Sequence, residues 1–508
     1  MKALKTFIIV LGGMVTTVGC TKLDESLNGS IPQNEFKENA DIPGLLKSCY
    51  TAMYGPFQDQ TGIWCLQDMT SDDAIGPTRG GDWDDNGVWR VLHTQKWDAE
   101  NQRIRDNFSN LLQIVFLTTD IQNYNPPADV AAQAYMLRAW VTYNVFDLYN
   151  KVPFRQVGSD LNLPPEILEG QAAIDQIQAD IDKALPDLGD GPANKSNKWA
   201  AKAILMKLYL NRGAFLNRKA PTFDAADMQK VISLADEIIN SGKFALESDF
   251  YSSFIPKNTE TSKEIIFANE NTTTEAGNVR FHWHAGTHYN QNPSGWNGFT
   301  TLANFYDKFE DQDQRKGKAY TGFTDKVGMR VGFLVGQQYG KDNVALVDRG
   351  GNPLVFTRDI TPIVDGNVEL PGIRVVKYVP DMKSDYSGDK DIAENDYVFL
   401  RYSDVLLMKA EALLRTGNAE DALDIVNEIR VKRGATALAT LDLDKLLDER
   451  GRELYWESWR RNDLIRFGKF LDPFGPTKPE KSDDKYLLFP IPNAAKAANP
   501  ALEQNPGY

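Results

Sequence analysis

Two stretches of this 508-residue chain combine tryptophan with amides and charged groups, "SDDAIGPTRGGDWDDNGVWR" (71–90) and "FHWHAGTHYNQNPSGWNGF" (281–299). An aromatic plate beside hydrogen-bonding groups suits a ligand with flat apolar faces rimmed by hydroxyl groups, as in a sugar ring. We therefore predict one ligand-binding site built from both stretches. Its candidate residues are Asp73, Arg79 and Trp83 in the first stretch and Trp283, Tyr289, Asn292 and Trp296 in the second.

The segments around these stretches, residues 56–97 and 244–399, show little helical periodicity and hold six of the ten tryptophans. Long irregular segments in a compact domain are usually functional or disordered, and disordered segments are poor in aromatic residues. This enrichment favours a binding role. A single tryptophan could instead serve only to pack its loop against the rest of the protein, and the sequence leaves that alternative open.

Three of the four histidines, His282, His284 and His288, raise the alternative of a metal site. A strand at 282–284 would direct the first two to one face, a turn could return the third, and imidazoles bind zinc. No cysteine lies nearby, so a carboxylate or water would have to complete the coordination. We expect ligand contacts or loop packing for these histidines, and neither a metal nor a cofactor.

The segment "DWDDNG" (82–87) resembles the start of a calcium-binding EF-hand loop. Its acidic and amide residues and its glycine stand where that loop has its first ligands and its turn. The twelfth position is His93, however, and that position requires a bidentate glutamate. We therefore expect a solvated acidic turn.

Catalytic patterns do not emerge from the sequence. The acidic pairs Asp72–Asp73 and Asp84–Asp85 are adjacent, so their side chains diverge, whereas glycoside hydrolysis needs two carboxylates facing each other across a cleft. There is no phosphate-binding glycine loop, HExxH motif or Ser-His-Asp order. We predict that the protein is not an enzyme.

The chain carries a formal net charge of -14 and has a sequence pI near 5.0. Nucleic-acid surfaces need a basic stripe that displaces counterions, so the acidic balance argues against a nucleic-acid partner. It also argues against adhesion to anionic lipid by charge alone.

The elements that must position the candidate residues are helices of about four turns, joined in pairs. The clearest pair is residues 401–434, in which Gly417 ends one apolar-striped helix and Asn418 begins the next. Its length of about 34 residues is typical of a tetratricopeptide hairpin. Looser pairs occupy 128–149 with 171–188 and 198–213 with 224–242, and 443–470 adds further helix.

These patterns predict a mainly α fold, a tetratricopeptide-like superhelix of helical hairpins with long irregular insertions. Short extended runs at 264–270, 330–336 and 373–379 predict a few strands. Within 443–470, the charged residues Arg452, Glu453, Glu457, Arg460 and Arg461 are expected to tie helices together.

The N-terminus has the pattern of an export signal, with Lys2 and Lys5 before a short apolar run and small residues before Cys20. The run is too short to span a bilayer, which takes about 20 residues. Val18-Gly19-Cys20 resembles the end of a bacterial lipobox, which implies that Cys20 is acylated and begins the mature protein. Ordinary secretion remains the alternative.

Several segments together resemble the SusD/RagB family. They are "LRYSDVLLMKAEALLRTGNAEDALDIVNEIRVKRG", "LLDERGRELYWESWRRNDLIRFGKF", "YLLFPIPNAAKAANPALEQNPGY" and "AYMLRAWVTYNVFDLYNKVPF". The resemblance implies a SusD-like fold and a lipoprotein on the outer face of the bacterial outer membrane. It also implies a nutrient-binding protein, usually for glycans and sometimes for peptides, that acts as the lid of a TonB-dependent transporter and is not an enzyme.

The expected organisation follows from these observations. We assign 1–19 as a signal peptide, 20–35 as a lipidated linker, 36–243 as an N-terminal helical region with an insertion at 56–97, 244–399 as a loop-rich ligand-binding insertion and 400–508 as a C-terminal helical region. The expected function is glycan capture and delivery to the transporter; the alternative is a tetratricopeptide-like scaffold that binds peptides or a protein partner. Cys49 and Cys65 could form a disulfide or remain free thiols.

Overall fold

The computed structural model describes residues 39–382 and 393–508. Asp41–Tyr508 fold as a single unit. The signal segment, the linker and Cys20 lie outside the described residues. Within the described ranges, none of the helices combines the length and the apolar character that a membrane crossing requires.

Seventeen α-helices lie within the described ranges. In chain order they are α1 (Ile42–Thr51), α2 (Cys65–Gln67), α3 (Val88–His93), α4 (Gln102–Asp120), α5 (Ala128–Tyr149), α6 (Gln171–Ala184), α7 (Lys198–Leu216), α8 (Ala225–Asn240), α9 (Asn258–Thr261), α10 (Phe281–His284), α11 (Ala303–Tyr306), α12 (Thr324–Val327), α13 (Tyr402–Arg415), α14 (Ala419–Lys432), α15 (Leu443–Leu454), α16 (Arg460–Arg466) and α17 (Asn493–Ala498). The predicted mainly α fold class is confirmed.

The predicted helical hairpins are present as α5 with α6, α7 with α8, and α13 with α14. Side-chain caps fix where helices begin: the Asn197 amide oxygen accepts from Trp199 N and Ala200 N at 3.0 and 2.9 Å, at the start of α7. Gly417 adopts a positive φ of 90° and ends α13, as its sequence position predicts. The third hairpin packs on the second through α13 and α8, so the pairs stack into one array.

Helix α4 is an element that the sequence analysis does not assign. It packs against α5, and the Asn101 side chain caps it by accepting from Arg103 N at 3.0 Å and Ile104 N at 3.3 Å. Helix α5 therefore lies between α4 and α6, and it is buried along almost its whole length.

Eleven short strands are present within the described ranges. They are β1 (Thr78–Arg79), β2 (Lys151–Phe154), β3 (Glu166–Glu169), β4 (Ile265–Asn269), β5 (Gly317–Lys318), β6 (Val331–Leu334), β7 (Gly336–Gln337), β8 (Val355–Phe356), β9 (Ile363–Val364), β10 (Arg374–Val376) and β11 (Tyr397–Arg401). They form one three-stranded sheet, β10-β6-β5, and four two-stranded pairs, of which only β1–β9 is parallel. The three predicted strands correspond to β4, β6 and β10.

A buried charge network at Glu453 in α15 connects the insertion to the helices. Its carboxylate accepts from Arg433 Nη2 at 2.7 Å, Arg401 Nη1 at 3.0 Å and Arg315 Nη1 at 3.0 Å, and all four side chains are fully buried. Burial alone would raise the pKa of Glu453, but the three guanidinium charges hold it well below its ordinary value. These arginines come from the insertion, from β11 and from the end of α14, so one carboxylate fixes three separate segments.

The other charged residues of α15 and α16 also act as ties between segments, as predicted. Arg460 forms a two-pronged ion pair with Asp72 at 2.6 and 2.8 Å, and it thereby joins α16 to the first insertion. The Glu457 carboxylate accepts from Arg401 Nη2 at 2.7 Å, and Arg461 donates to the carbonyl of Leu487 at 2.7 Å.

The open question about the cysteines is resolved in favour of two free, buried thiols, Cys49 and Cys65. Burial raises the pKa of Cys49 to about 12, and burial likewise raises the pKa of Cys65. Both thiols therefore stay protonated and unreactive at neutral pH.

Substituting Glu453→Gln tests the buried network. We expect the free energy of unfolding to fall by about 3–5 kcal/mol, because three buried guanidinium groups would lose a charged partner. Urea titration followed by circular dichroism would measure it. The control is Asp484→Asn, which removes an ion pair with Lys219 that is more than half exposed and should change stability far less. Equal effects of the two substitutions would contradict a central role for Glu453.

Candidate ligand-binding site

The two predicted stretches lie directly against each other. Ile75 and Thr300 exchange backbone hydrogen bonds of 2.9 and 3.1 Å. The indole nitrogen of Trp83 donates to the carbonyl of Trp296 at 3.1 Å. The structure thus brings the two stretches into one region, as the sequence predicts.

Trp296 and Trp83 form the aromatic surface of this region. Trp296 is 40% exposed and Trp83 is half-buried, with their ring centroids 6.2 Å apart. Beneath them, buried Phe299 lies 4.6 Å from the Trp83 ring, and His284 packs edge-on against Trp296 at 4.5 Å. The two indoles are therefore held in fixed positions with part of their surface open to solvent.

The local backbone is shaped to place Trp83. Its φ of 60° lies in the left-handed region, which aromatic residues rarely adopt. Gly298 lies against the indole so closely that a Cβ there would come within 2.3 Å of it. Strained backbone held by close packing is a frequent property of binding sites.

Polar groups border the aromatic surface around Tyr289. The Tyr289 hydroxyl donates to exposed Asp82 at 3.3 Å, and the guanidinium carbon of Arg349 lies 4.0 Å from the Tyr289 ring centroid. Asn292 is exposed on the same loop, between Tyr289 and Trp296. Because Arg349 covers one face of the tyrosine ring, Tyr289 offers its edge and hydroxyl group more than a flat stacking face.

A buried Glu369–His288 pair supports this border. The His288 Nε2–H donates to Glu369 at 2.8 Å, and His288 Nδ1 accepts from Asn290 N at 3.1 Å, an arrangement that requires the neutral imidazole. Burial lowers the pKa of His288, despite the neighbouring Glu369. Arg349 donates its backbone N–H to the same carboxylate at 3.0 Å, so Glu369 holds both the histidine and the arginine in place.

Trp283 does not line the site, which corrects the sequence-based assignment. Residues 281–284 form α10 instead of the expected strand, because the chain turns so that Ala285 N donates to Phe281 O at 3.2 Å. Within this turn the Trp283 side chain is fully buried, at 0% exposure. It packs in the core and cannot contact a ligand on the surface.

Asp73 and Arg79 are also buried, with 0% and 2% exposure, and they serve the loops themselves. The three Arg79 nitrogens donate to the carbonyls of Gly298, Val368 and Pro371 at 2.9–3.0 Å. The Asp73 carboxylate accepts from Ser71 Oγ at 2.7 Å. Irregular loops lack ladder hydrogen bonds, so side chains satisfy their buried backbone groups; residue type alone does not distinguish this task from ligand binding.

The histidines have separate partners. His282 Nε2 lies 3.1 Å from a backbone carbonyl of the first insertion, and His288 is engaged by Glu369. No group of three or more His, Cys, Asp or Glu side chains within residues 39–382 and 393–508 is arranged to hold a metal ion.

The acidic turn at 82–87 is held by protein groups. Asp84 forms an ion pair with Arg90, and the Asp85 carboxylate accepts from the indole of Trp89 at 2.6 Å. His93 is buried and hydrogen-bonded to Thr477 at 2.9 Å. These contacts fit an ordinary turn anchored to the loop.

The chain is similar in sequence to known proteins over most of its length. Residues 263–508 match the sequence profile of the SusD family. The chain is 25% identical over 480 aligned positions to the starch-binding protein SusD of Bacteroides thetaiotaomicron, covering 84% of this chain and 82% of that protein. It is 24% identical to the SusD-like protein P2 of Formosa agariphila over the full length of both chains.

Residues 263–508 belong to the SusD family, and the similarity to SusD proteins extends over the rest of the chain.

Solved structures resemble this chain at the level of the fold. A SusD superfamily protein from Parabacteroides distasonis superposes with a TM-score of 0.72 at 19% identity, over 92% of this chain and 98% of that one. Surface glycan-binding protein A of Bacteroides thetaiotaomicron, solved with laminarihexaose, superposes with a TM-score of 0.68 at 17% identity, over 91% and 98% of the two chains.

Arg349 and Glu369 are parts of the site that the sequence does not indicate. They lie 53 and 73 residues beyond Trp296, in the segments "DRGGNPLVF" (348–356) and "DGNVELPG" (365–372). Glycine-rich turns around charged residues were a signal for surface loops. Nothing in the local sequence indicated that they reach Tyr289.

The burial of Asp73 predicts an unusual pH dependence of stability. Burial, and then the charge of Asp72, raise the pKa of Asp73 to about 7. The pKa of neighbouring Asp68 is raised as well. The folded state therefore keeps a proton that an unfolded aspartate with the ordinary pKa of 3.8 loses. The contribution of this proton to stability is complete below pH 3.8. It is lost as the pH rises towards 7, the pKa of Asp73 in the folded state.

Substituting Asp73→Asn removes this titration. We expect the unfolding free energy of the wild type to fall by about 2 kcal/mol relative to the variant between pH 5 and pH 7.5, because only the wild type must retain the proton. Urea titrations across that range, with Asp484→Asn as the control, would measure it. A constant difference between wild type and Asp73→Asn at all pH values would contradict the raised pKa.

Proposed function

We propose that the protein is a non-catalytic glycan-binding protein whose ligand lies across Trp296, Trp83 and the polar border at Tyr289. The observation that carries this is the exposed Trp296 indole, fixed in position beside Trp83 and next to exposed carboxylate, amide and guanidinium groups. A sugar's apolar face can stack on the indoles while its hydroxyl groups bond to Asp82, Asn292 and Arg349.

The names of related proteins support a sugar ligand. One relative, similar over 84% of this chain, is named for starch binding, and a protein of the same fold was solved with laminarihexaose. The two ligands differ, so these relatives support glycans as the class of ligand. Which sugar is bound depends on the residues of this site.

A binding role is also supported by the state of the carboxylates at the border. Glu369 is occupied by His288 and Arg349, and although burial alone would raise its pKa, the Arg349 and His288 hydrogen bonds hold it below its ordinary value. A general acid needs a raised pKa to carry its proton near neutral pH. Glu369 therefore suits holding the site together better than transferring a proton.

We further propose that Cys20 is acylated and tethers the protein to the outer face of the outer membrane, where it passes its ligand to a TonB-dependent transporter. SusD family membership and the lipobox-like Val18-Gly19-Cys20 support this. Several acyl chains on one residue would bind the membrane firmly, since each buried methylene contributes about 0.8 kcal/mol.

Substituting Trp296→Ala tests the site. We expect binding to the cognate glycan to weaken at least about ten-fold, because the exposed stacking face is lost, with little change in melting temperature. Calorimetric titration or affinity electrophoresis would measure it. Phe116→Ala in α4 is a matched control, since Phe116 is 43% exposed but lies on the helical scaffold. Unchanged binding by Trp296→Ala would rule out the proposed site.

Substituting Cys20→Ala tests the anchor. We expect radiolabelled palmitate to be incorporated by the wild type in cells and not by the variant, and the variant to leave the membrane fraction. Pull-down of the tethered protein from solubilised outer membranes should recover a TonB-dependent transporter. Palmitate labelling that persists in Cys20→Ala would place the lipid on another residue, and a wild type without label would exclude the lipid anchor.

A further inference from the structure

Two buried arginines beneath the candidate site have no charged partner. Arg374 and Arg79 are 0% and 2% exposed, and within the described residues their hydrogen-bond acceptors are all uncharged oxygens. They even share one acceptor, the carbonyl of Pro371, at 2.7 Å from Arg374 and 2.9 Å from Arg79. Guanidinium groups keep their proton in proteins, so both charges persist.

This arrangement differs from that of other buried arginines in the molecule. Arg315, Arg401 and Arg433 each bind buried carboxylates, as does Arg138, which pairs with Asp180. An unpaired buried charge is costly, and its field is weakly screened because little water surrounds it. Two positive charges without an ion-pair partner therefore lie behind the site, whereas carboxylates neutralise the other buried arginines named here.

The two charges lie close to the aromatic surface. Arg79 donates to the carbonyl of Gly298, and Arg374 donates to the Asn297 amide oxygen at 2.7 Å. Gly298 and Asn297 directly follow Trp296 in the chain. The potential above Trp296 should consequently be more positive than the net charge of -14 would suggest.

Arg349 adds an exposed guanidinium at the border. Its side chain is 51% exposed, and its Nε and backbone N–H bind Glu369. Neither of its terminal nitrogens donates a hydrogen bond to another described residue, so they can bind a ligand. A guanidinium whose Nε side is fixed presents its two terminal nitrogens in a geometry suited to an oxyanion.

The acidic groups of the border have protein partners: Asp85 accepts from the Trp89 indole, and Asp348 accepts from the Asn367 amide. Glu369 is shared by Arg349 and His288, and Asp84 is paired with Arg90. Asp82 is exposed and accepts from the Tyr289 hydroxyl. Asp82 remains available as an acceptor for sugar hydroxyl groups.

We propose that the site is selective for acidic glycans, in which a carboxylate or sulfate ester on the sugar binds the terminal nitrogens of Arg349 while the ring stacks on Trp296. This inference rests on the proposed function and specifies the charge of its ligand. Uronic acids and sulfated sugars both carry an oxyanion that Arg349 would recognise. Binding measurements on a carboxylated and a sulfated polymer distinguish these two kinds of ligand.

A first experiment measures the local potential without any glycan. Of the ten tryptophans, Trp296 is 40% exposed, Trp83 is half-buried and the other eight are buried, so collisional quenching reports mainly on Trp296. At constant ionic strength, iodide should quench more than caesium by about two-fold relative to N-acetyltryptophanamide, because the positive field concentrates anions. Trp296→Phe should remove most of this signal.

Arg349→Gln should lower the iodide preference, and Arg358→Gln is its matched control. Arg358 is 47% exposed, pairs with Asp307 at 2.6 Å and lies 5.5 Å from the ring of Tyr306, so it copies the surroundings of Arg349 away from the site. An iodide-to-caesium ratio equal to or below that of N-acetyltryptophanamide would overturn the proposal.

A second experiment compares polymers that differ only in charge, by calorimetric titration. Polygalacturonate is paired with its carboxyl-reduced product, and a carrageenan with its desulfated product. We expect the wild type to bind the acidic member of at least one pair ten-fold or more tightly, and Arg349→Gln to lose that preference while Arg358→Gln keeps it. The pair that shows the preference identifies carboxylate or sulfate.

The outcomes separate the two proposals. Equal or tighter binding of the neutral polymer overturns acidic selectivity and leaves glycan binding intact. Polymer binding that is unaffected by Trp296→Ala contradicts the proposed function instead. If neither pair binds, the quenching ratio alone decides whether the site favours anions.

Discussion

The burial of Glu453 among three arginines is the constraint on which the rest of the structure depends. Each of these three guanidinium groups is stabilised by the carboxylate, since breaking a buried ion pair costs several kcal/mol. Because the arginines come from the insertion, from β11 and from the end of α14, satisfying this one group fixes where the insertion lies against the helical hairpins. The network determines the arrangement of segments more than it adds net stability, and it provides the rigid base that the irregular loops require.

On that base, polar side chains in the insertions divide into two groups according to burial. Buried ones such as Arg79, Asp73 and Glu369 bind backbone atoms or other side chains and hold the loops in place. Exposed ones such as Asp82 and Asn292 remain available to a ligand beside Trp296. A surface made of loops can therefore be as well fixed as one made of strands, because the hydrogen bonds that a sheet would supply come from side chains.

Much of the fold could be predicted from the sequence, because helical hairpins and short strands leave local patterns: apolar stripes, the stop at Gly417 and the runs that became β4, β6 and β10. The site could be predicted only in outline. The two aromatic stretches do meet, but the burial of Trp283 and Arg79 and the arrival of Arg349 depend on contacts between residues far apart in the chain. The strand expected at 282–284 failed because backbone bonds to the following loop close a helical turn there.

The way Arg79 and Arg374 hold their loops has an evolutionary consequence. Most of their acceptors are main-chain oxygens, which every amino acid supplies. Side chains at the loop tips can therefore drift through mutation without loosening these anchors. Exchanging a few surface residues could therefore change the chemistry of the loop surface while the anchors beneath it stay the same.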